Sequence, residues 1–189
     1  AAGATTIQVA ANKFTDGAGN PNAASDVFNW TYQENFVSTW TVSGDETART
    51  VTLPLVQNNN AGSGNTINFT VDWGDDSTGT VTAYNDADRI HVYASNGTYT
   101  VTIDGTLQGF QFNNGGDKTK IRTISNWGTF NVTNNSAFYG CSELEISAGN
   151  APTVSSTSLE RTFSGCAKIT SIGAVWSTSS VTSMHTMFI

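Results

Sequence analysis

Three aspartates, Asp72, Asp75 and Asp76, fall close together, and Asp86 and Asp88 follow soon after. Clustered carboxylate oxygens are what a hard cation such as Ca2+ takes as ligands. The spacing is not that of an EF-hand, however, and an aspartate in a β-turn commonly bonds its own backbone. A structural turn is therefore the first expectation for the trio and Ca2+ binding the second, with no other cofactor expected. Cys141 and Cys166 occupy equivalent places in two copies of a short repeat. Without further Cys or His at ligand spacing they cannot complete a zinc tetrahedron. On stacked parallel strands their side chains would lie close but be poorly aimed for a bond, so reduced, buried thiols lead over a disulfide. His91 and His185 each lack a legible nucleophile and orienting acid, and no H-E-x-x-H, G-x-S-x-G or phosphate-cradling loop is present. No catalytic residue is nominated. The chain is expected not to be an enzyme, with a secreted hydrolase as the minor alternative.

The composition narrows the partners. The 189 residues carry 8 Lys plus Arg against 15 Asp plus Glu, a net charge of -7, and only 12% charged residues. Thr, Ser and Asn make up roughly a third of the chain, so its polarity is that of neutral hydrogen-bonding groups. The cations are scattered singly, and a nucleic-acid partner needs a basic stripe, so nucleic acid is excluded. No apolar run reaches the length of a membrane span. Aromatic residues make 11% of the chain, enough to build a core.

The elements that must position these residues read as strands. Residues 1–28 are rich in Ala, Gly and Asn and predict an extended arm with at most one strand, near Thr5 to Val9. From Asn29 onward apolar and polar residues alternate in short runs: Phe36 to Trp40, Arg49 to Leu53, Ile67 to Val71 and Thr98 to Ile103. Such runs at this density predict a β-sandwich over residues 29–108. Asn96-Gly97 reads as a hairpin turn, with Tyr99, Val101 and Ile103 on a packed face and Thr98, Thr100 and Thr102 on a wet one.

Val71-Asp72-Trp73-Gly74-Asp75-Asp76, followed by the run from His91-Val92-Tyr93 through Asn96-Gly97-Thr98-Tyr99-Thr100-Val101, resembles the PKD family of Ig-like sandwiches. The resemblance implies a Trp-Gly-Asp turn at a strand end, a hairpin returning to the same sheet, and a structural His91. Asp76 departs from the family's usual Gly.

After Gly109 a repeat takes over. Phe138-Tyr139-Gly140-Cys141-Ser142-Glu143-Leu144 recurs as Phe163-Ser164-Gly165-Cys166-Ala167-Lys168-Ile169, and Phe188 falls at the same phase again. A period of about 25 residues lies in the leucine-rich-repeat range, where each coil buries its apolar face against its neighbours. Together with Val181-Thr182-Ser183-Met184-His185-Thr186-Met187-Phe188, these units resemble the BspA-like leucine-rich repeats of surface proteins. Residues 109–189 are thus expected to begin such a β-solenoid. Stopping in mid-unit leads to the expectation that more chain follows or another molecule covers the last coil.

The expected fold is all-β: an arm, a PKD-like sandwich and a leucine-rich solenoid, with Phe138, Cys141, Leu144, Phe163, Cys166, Ile169 and Phe188 as its structural repeat. The resemblances imply a cell-surface, extracellular or virion-surface location and non-enzymatic adhesion to a glycan or protein, with exposed aromatics suiting sugar contacts. The alternative is a structural assembly subunit, for a virion, fibre, filament or S-layer, self-assembling or docking on a neighbour through residues 1–28 and the last coil. An arm of small residues is costly to order alone.

Overall fold

The computed structural model describes residues 3–32, 34–57 and 64–189. The chain is mainly β. Its strands are β1 (Gly3–Ile7), β2 (Phe28–Tyr32), β3 (Phe36–Val42), β4 (Thr50–Thr52), β5 (Ile67–Asp72), β6 (Thr78–Val81), β7 (Ile90–Val92), β8 (Gly97–Leu107), β9 (Ile121–Asn126), β10 (Asn131–Val132), β11 (Glu145–Ile146) and β12 (Thr153–Val154). An α-helical turn, α1 (Glu46–Arg49), is capped by the Asp45 carboxylate, which accepts from the Ala48 N–H.

The chain divides into two units, Ala1–Gln33 and Glu34–Ile189. In the first, β1 and β2 pair antiparallel, Gly3 opposite Tyr32 and Ile7 opposite Phe28. β1 is the strand that falls within residues 3–28; its partner β2 opens at Phe28 and runs beyond the expected end of the arm. Residues 29 to 32 pair back onto β1 because alternating runs at both ends of the segment satisfy each other's backbone groups.

In the second unit a six-stranded sheet runs in the order β11-β9-β3-β8-β5-β6. The alternation that marks β3 is literal. Phe36, Ser38, Trp40 and Val42 point inward, and Ser38, buried among them, accepts the Trp40 indole N–H at 3.0 Å. That bond is what allows a hydroxyl and an indole inside the core. Tyr99 is partly buried, Val101 and Ile103 are fully buried, and Thr98, Thr100 and Thr102 lie on the opposite face, as their spacing predicts.

β4 and β7 form a separate two-stranded sheet, whereas β8 lies between β3 and β5. Asn96-Gly97 is thus not the turn of a hairpin, and the His91 to Val101 run does not return to one sheet. The chain crosses between sheets there. Tyr93 and Tyr99 stack with ring centroids 3.9 Å apart, and the Asn96 side chain accepts the Gly44 N–H instead of closing a two-residue loop.

Beyond Gly109 successive turns of chain lie on one another. The Phe138 N–H donates to the Thr162 carbonyl, the Phe163 N–H to that of Met187, and the Arg161 N–H to that of His185, each bond joining one turn to the next. The parallel pairs set Thr123 opposite Glu145 and Asn131 opposite Thr153, a shorter step along the chain than the bridge from Ser158 to Ser183. The period is therefore looser than the Phe spacing alone predicts. One apolar cluster runs from Phe36 through Phe130 to Met187. Phe36 meets Phe110, Trp127 and Phe130 at ring-centroid distances of 6.0, 6.2 and 5.0 Å, so the change of texture at residues 108 and 109 is not a break in the core.

Candidate functional site

The acidic turn joins β5 to β6. Asp72 Oδ1 accepts from the Gly74 N–H at 2.8 Å, and Asp75 Oδ1 accepts from the Ser77 N–H and hydroxyl at 3.3 and 2.5 Å. Asp75 Oδ2 lies 2.8 Å from His91 Nε2, whose ring stacks on Trp73 at 5.0 Å. Gly74 has φ +79°, and a Cβ there would meet the Thr100 carbonyl oxygen at 2.4 Å. Asp76 takes the left-handed conformation (φ 67°) that glycine adopts most readily.

The candidate calcium trio does not gather into a ligand set. Asp72 Oδ1 and Asp75 Oδ1 are taken up by the turn, and Asp75 Oδ2 is tied to His91. Among the described residues no group of three Asp, Glu, His or Cys side chains is placed to hold a metal. Asp86 and Asp88 are used likewise. Their carboxylates accept the Thr82 and Thr80 N–H groups on the outer edge of β6, which closes that edge to further pairing.

Ser77, His91 and Asp75 are the residue types of a hydrolytic triad but not its geometry. The Ser77 hydroxyl donates to Asp75, and the imidazole nitrogen that faces it, 3.4 Å away, is the same one that meets the carboxylate. A serine activated by histidine needs the imidazole between hydroxyl and acid. Burial opposes the charge on Asp75, but hydrogen bonds from Ser77 and His91 and the histidine's own charge outweigh it and hold the carboxyl below its usual range.

The repeat residues form an internal ladder. Phe138 and Phe163 stack at 5.7 Å, and Phe163 and Phe188 at 5.6 Å. Cys141 and Cys166 are free and buried, and the Cys166 thiol donates to the Phe138 carbonyl at 3.0 Å. Burial pushes both thiols up, Cys166 to about 11. Leu144 is buried and Ile169 partly so, whereas Phe188 is 56% exposed. His185 sits 3.8 Å from Glu160 on the surface.

Exposed aromatics for stacking on sugars are largely missing from the second unit. Trp40, Trp73, Trp127 and Trp176 are buried, because in a β-rich chain of this size the indoles are the core. What the six-stranded sheet does present is a hydroxyl array, which neither the repeat nor the acidic turn had pointed to. Glu145, Thr123, Thr39 and Thr100 face one another across four strands. A second row runs Val37, Thr102, Asp72 and Thr78, and a third Asp104, Thr70 and Thr80. Strands lie about 4.8 Å apart, so neighbouring hydroxyls can bond. Thr39 with Thr123 and Thr41 with Thr98 do so at 2.7 Å.

Residues 108–189 match the family described as Mycoplasma protein of unknown function, DUF285. The DUF285 match covers the stacked turns and begins where the repeat texture does. No curated protein and no solved structure matches the chain.

Proposed function

We propose that the chain is a non-enzymatic recognition module displayed on an extracellular, cell or virion surface, with the PKD-like sandwich and BspA-like leucine-rich coils that its motifs resemble. The threonine-lined face of the six-stranded sheet is its binding surface. The observation that carries this reading is the face itself: register places Thr39, Thr100, Thr123, Thr102, Thr70, Thr80 and Thr78 side by side in a hydroxyl-rich array. Hydroxyls in fixed rows give a partner many directional donors and acceptors, which suits contact with protein or glycan. With the indoles of the second unit buried, protein is the favoured ligand class.

The experiment is adherence of the labelled full chain to cultured cells, with cells treated beforehand by protease or by periodate. Saturable binding lost on protease treatment supports a protein ligand. Loss on periodate alone moves the ligand to a glycan. Binding that never saturates on any cell type would sink the reading.

A second reading, an assembly subunit, is favoured by a different observation. Ile7, Val9, Phe14, Val27 and Phe28 of the N-terminal unit are all exposed. A ribbon with that composition is suited to pack on a neighbour.

A further inference from the structure

β4 and β7 pair with each other and with no other described strand, so each has one edge that no strand covers. The ladder between them fixes which groups lie on those edges. The Leu53 N–H donates to the Arg89 carbonyl at 2.9 Å and the Tyr93 N–H to the Arg49 carbonyl at 3.2 Å, so residues 89, 91 and 93 spend their backbone groups on β4. Antiparallel pairs alternate, which turns the backbone groups of Thr50 and Thr52 outward on one side and those of Ile90 and Val92 outward on the other.

The two edges offer the same groups and differ in what meets them. On β4 the Thr50 carbonyl accepts from Lys120 Nζ, and the Thr52 N–H donates to Asp117 Oδ2 at 2.7 Å. On β7 the Ile90 N–H is taken by the Ala87 carbonyl of a 3-10 turn (Ala87–Arg89). The Ile90 carbonyl, the Val92 N–H and the Val92 carbonyl have no partner among the described residues. The side chains of Ile90 and Val92 are 46% and 43% exposed. Charged side chains thus close the outer edges of β4 and β6, the latter through Asp86 and Asp88, whereas β7 carries two exposed β-branched residues beside unpaired backbone groups. An edge of that kind is a template for another strand.

We propose that β7 is a strand-addition site: an extended segment of a partner protein pairs with Ile90–Val92 and lengthens the β4-β7 sheet by one strand. The Val92 N–H bonds a carbonyl of that segment, and the Ile90 and Val92 carbonyls accept its N–H groups. Alternate side chains of the segment lie against Ile90 and Val92, so apolar residues at every second position are favoured. A donor and two acceptors at strand spacing are the complement of a polypeptide backbone, which selects protein over glycan. A second copy of the chain is the less favourable occupant, because each copy carries a net charge of -7. β7 lies outside the six-stranded sheet, so this site and the threonine face stand or fall separately.

The test selects short random peptides displayed on phage against the immobilised full chain, then titrates the selected peptides in solution. The expected peptides carry apolar residues at alternate positions, bind saturably and slow hydrogen exchange at the Val92 amide. Val92→Pro should weaken them by at least about tenfold, since it removes the outward donor. That N–H takes no part in the β4 ladder, and proline is tolerated at such an edge position. Val92→Thr keeps the N–H and should bind as the parent does. Ile90→Lys with Val92→Lys leaves the backbone intact and should also prevent addition. No selected peptide, or binding indifferent to both Val92→Pro and the lysine pair, overturns the proposal. A Val92 amide already protected from exchange in the free monomer does the same. Concentration-dependent self-association that Val92→Pro abolishes overturns it too, by making the occupant a second copy. Any of these results alongside saturable adherence to cells removes the strand-addition site and leaves the recognition reading intact.

Discussion

The ring of Phe138 lies 5.7 Å from that of Phe163, their planes 7° apart, which makes two residues distant in sequence into adjacent rungs of one ladder. Phe163 is 2% exposed and stacks on Phe188 as well, whereas Phe188 is half in solvent. Phe163→Ala should therefore cost about 3–5 kcal/mol and Phe188→Ala under about 1.5 kcal/mol, read from urea unfolding with an unchanged slope. Equal costs would mean that the rungs do not depend on one another.

The turn at Gly74 is set by close approach. A Cβ there would meet the Thr100 carbonyl oxygen at 2.4 Å in a conformation with φ +79°. Gly74→Ala should destabilise the second unit by about 3 kcal/mol or more, combining backbone strain with displacement of β8. Gly17→Ala, with nothing within 4 Å of the added carbon, should be neutral to about 0.5 kcal/mol. Thermal unfolding of the two variants side by side distinguishes these outcomes.

Asp75 ties the turn to His91, and its carboxyl is held below the ordinary range against the opposing effect of burial. A depressed carboxyl binds its proton less readily folded than unfolded. Its stabilising contribution is therefore present above the unfolded-state value, near about pH 4, and is lost as pH falls through the lower folded value. Asp75→Asn should cost about 1–2 kcal/mol at neutral pH and flatten the loss of stability in the acid range. An acid limb as steep in the variant as in the parent would show that the tie contributes nothing.

Both thiols are buried, and burial raises Cys166 to about 11, so the reactive thiolate is scarce at neutral pH. A thiol reagent at mildly alkaline pH should label neither cysteine in the native chain and both after unfolding. Labelling of the native protein within minutes would mean that the ladder opens readily.

Much of this was legible in the sequence, and the reasons differ by element. The strands around Trp40, Val71 and Val101 announce themselves because each has one dry and one wet face, and the Phe138, Phe163, Phe188 spacing survives because aromatic rungs must stack. Ser136, Arg161 and Thr186 were not legible. All three are left-handed, with φ 54°, 54° and 52°, at one phase of three successive turns. None is Gly or Asn, so residue type carries no trace of the conformation, which the hydrogen bonds between turns impose. The crossing at Asn96-Gly97 was hidden because a turn signal states that the chain bends, not which sheet the next strand joins. Asp117 was equally silent. It accepts the Thr52 N–H while its partner Lys120 donates to the Thr50 carbonyl, and together they close the edge of β4 from a distant part of the chain.

The threonine face was half visible. Alternation put Thr98, Thr100 and Thr102 outward, but only strand order brings Thr39, Thr123 and Thr70 beside them.

The most direct test of recognition through that face is cell binding by Thr39→Arg with Thr100→Arg, two bulky cations set in the middle of the array where neither side chain packs in the core. Recognition there predicts that saturable adherence falls by at least about tenfold while the chain stays folded, the lost Thr39–Thr123 bond and the two facing cations costing no more than about 2 kcal/mol. Adherence equal to that of the parent chain, with the fold intact, would contradict it.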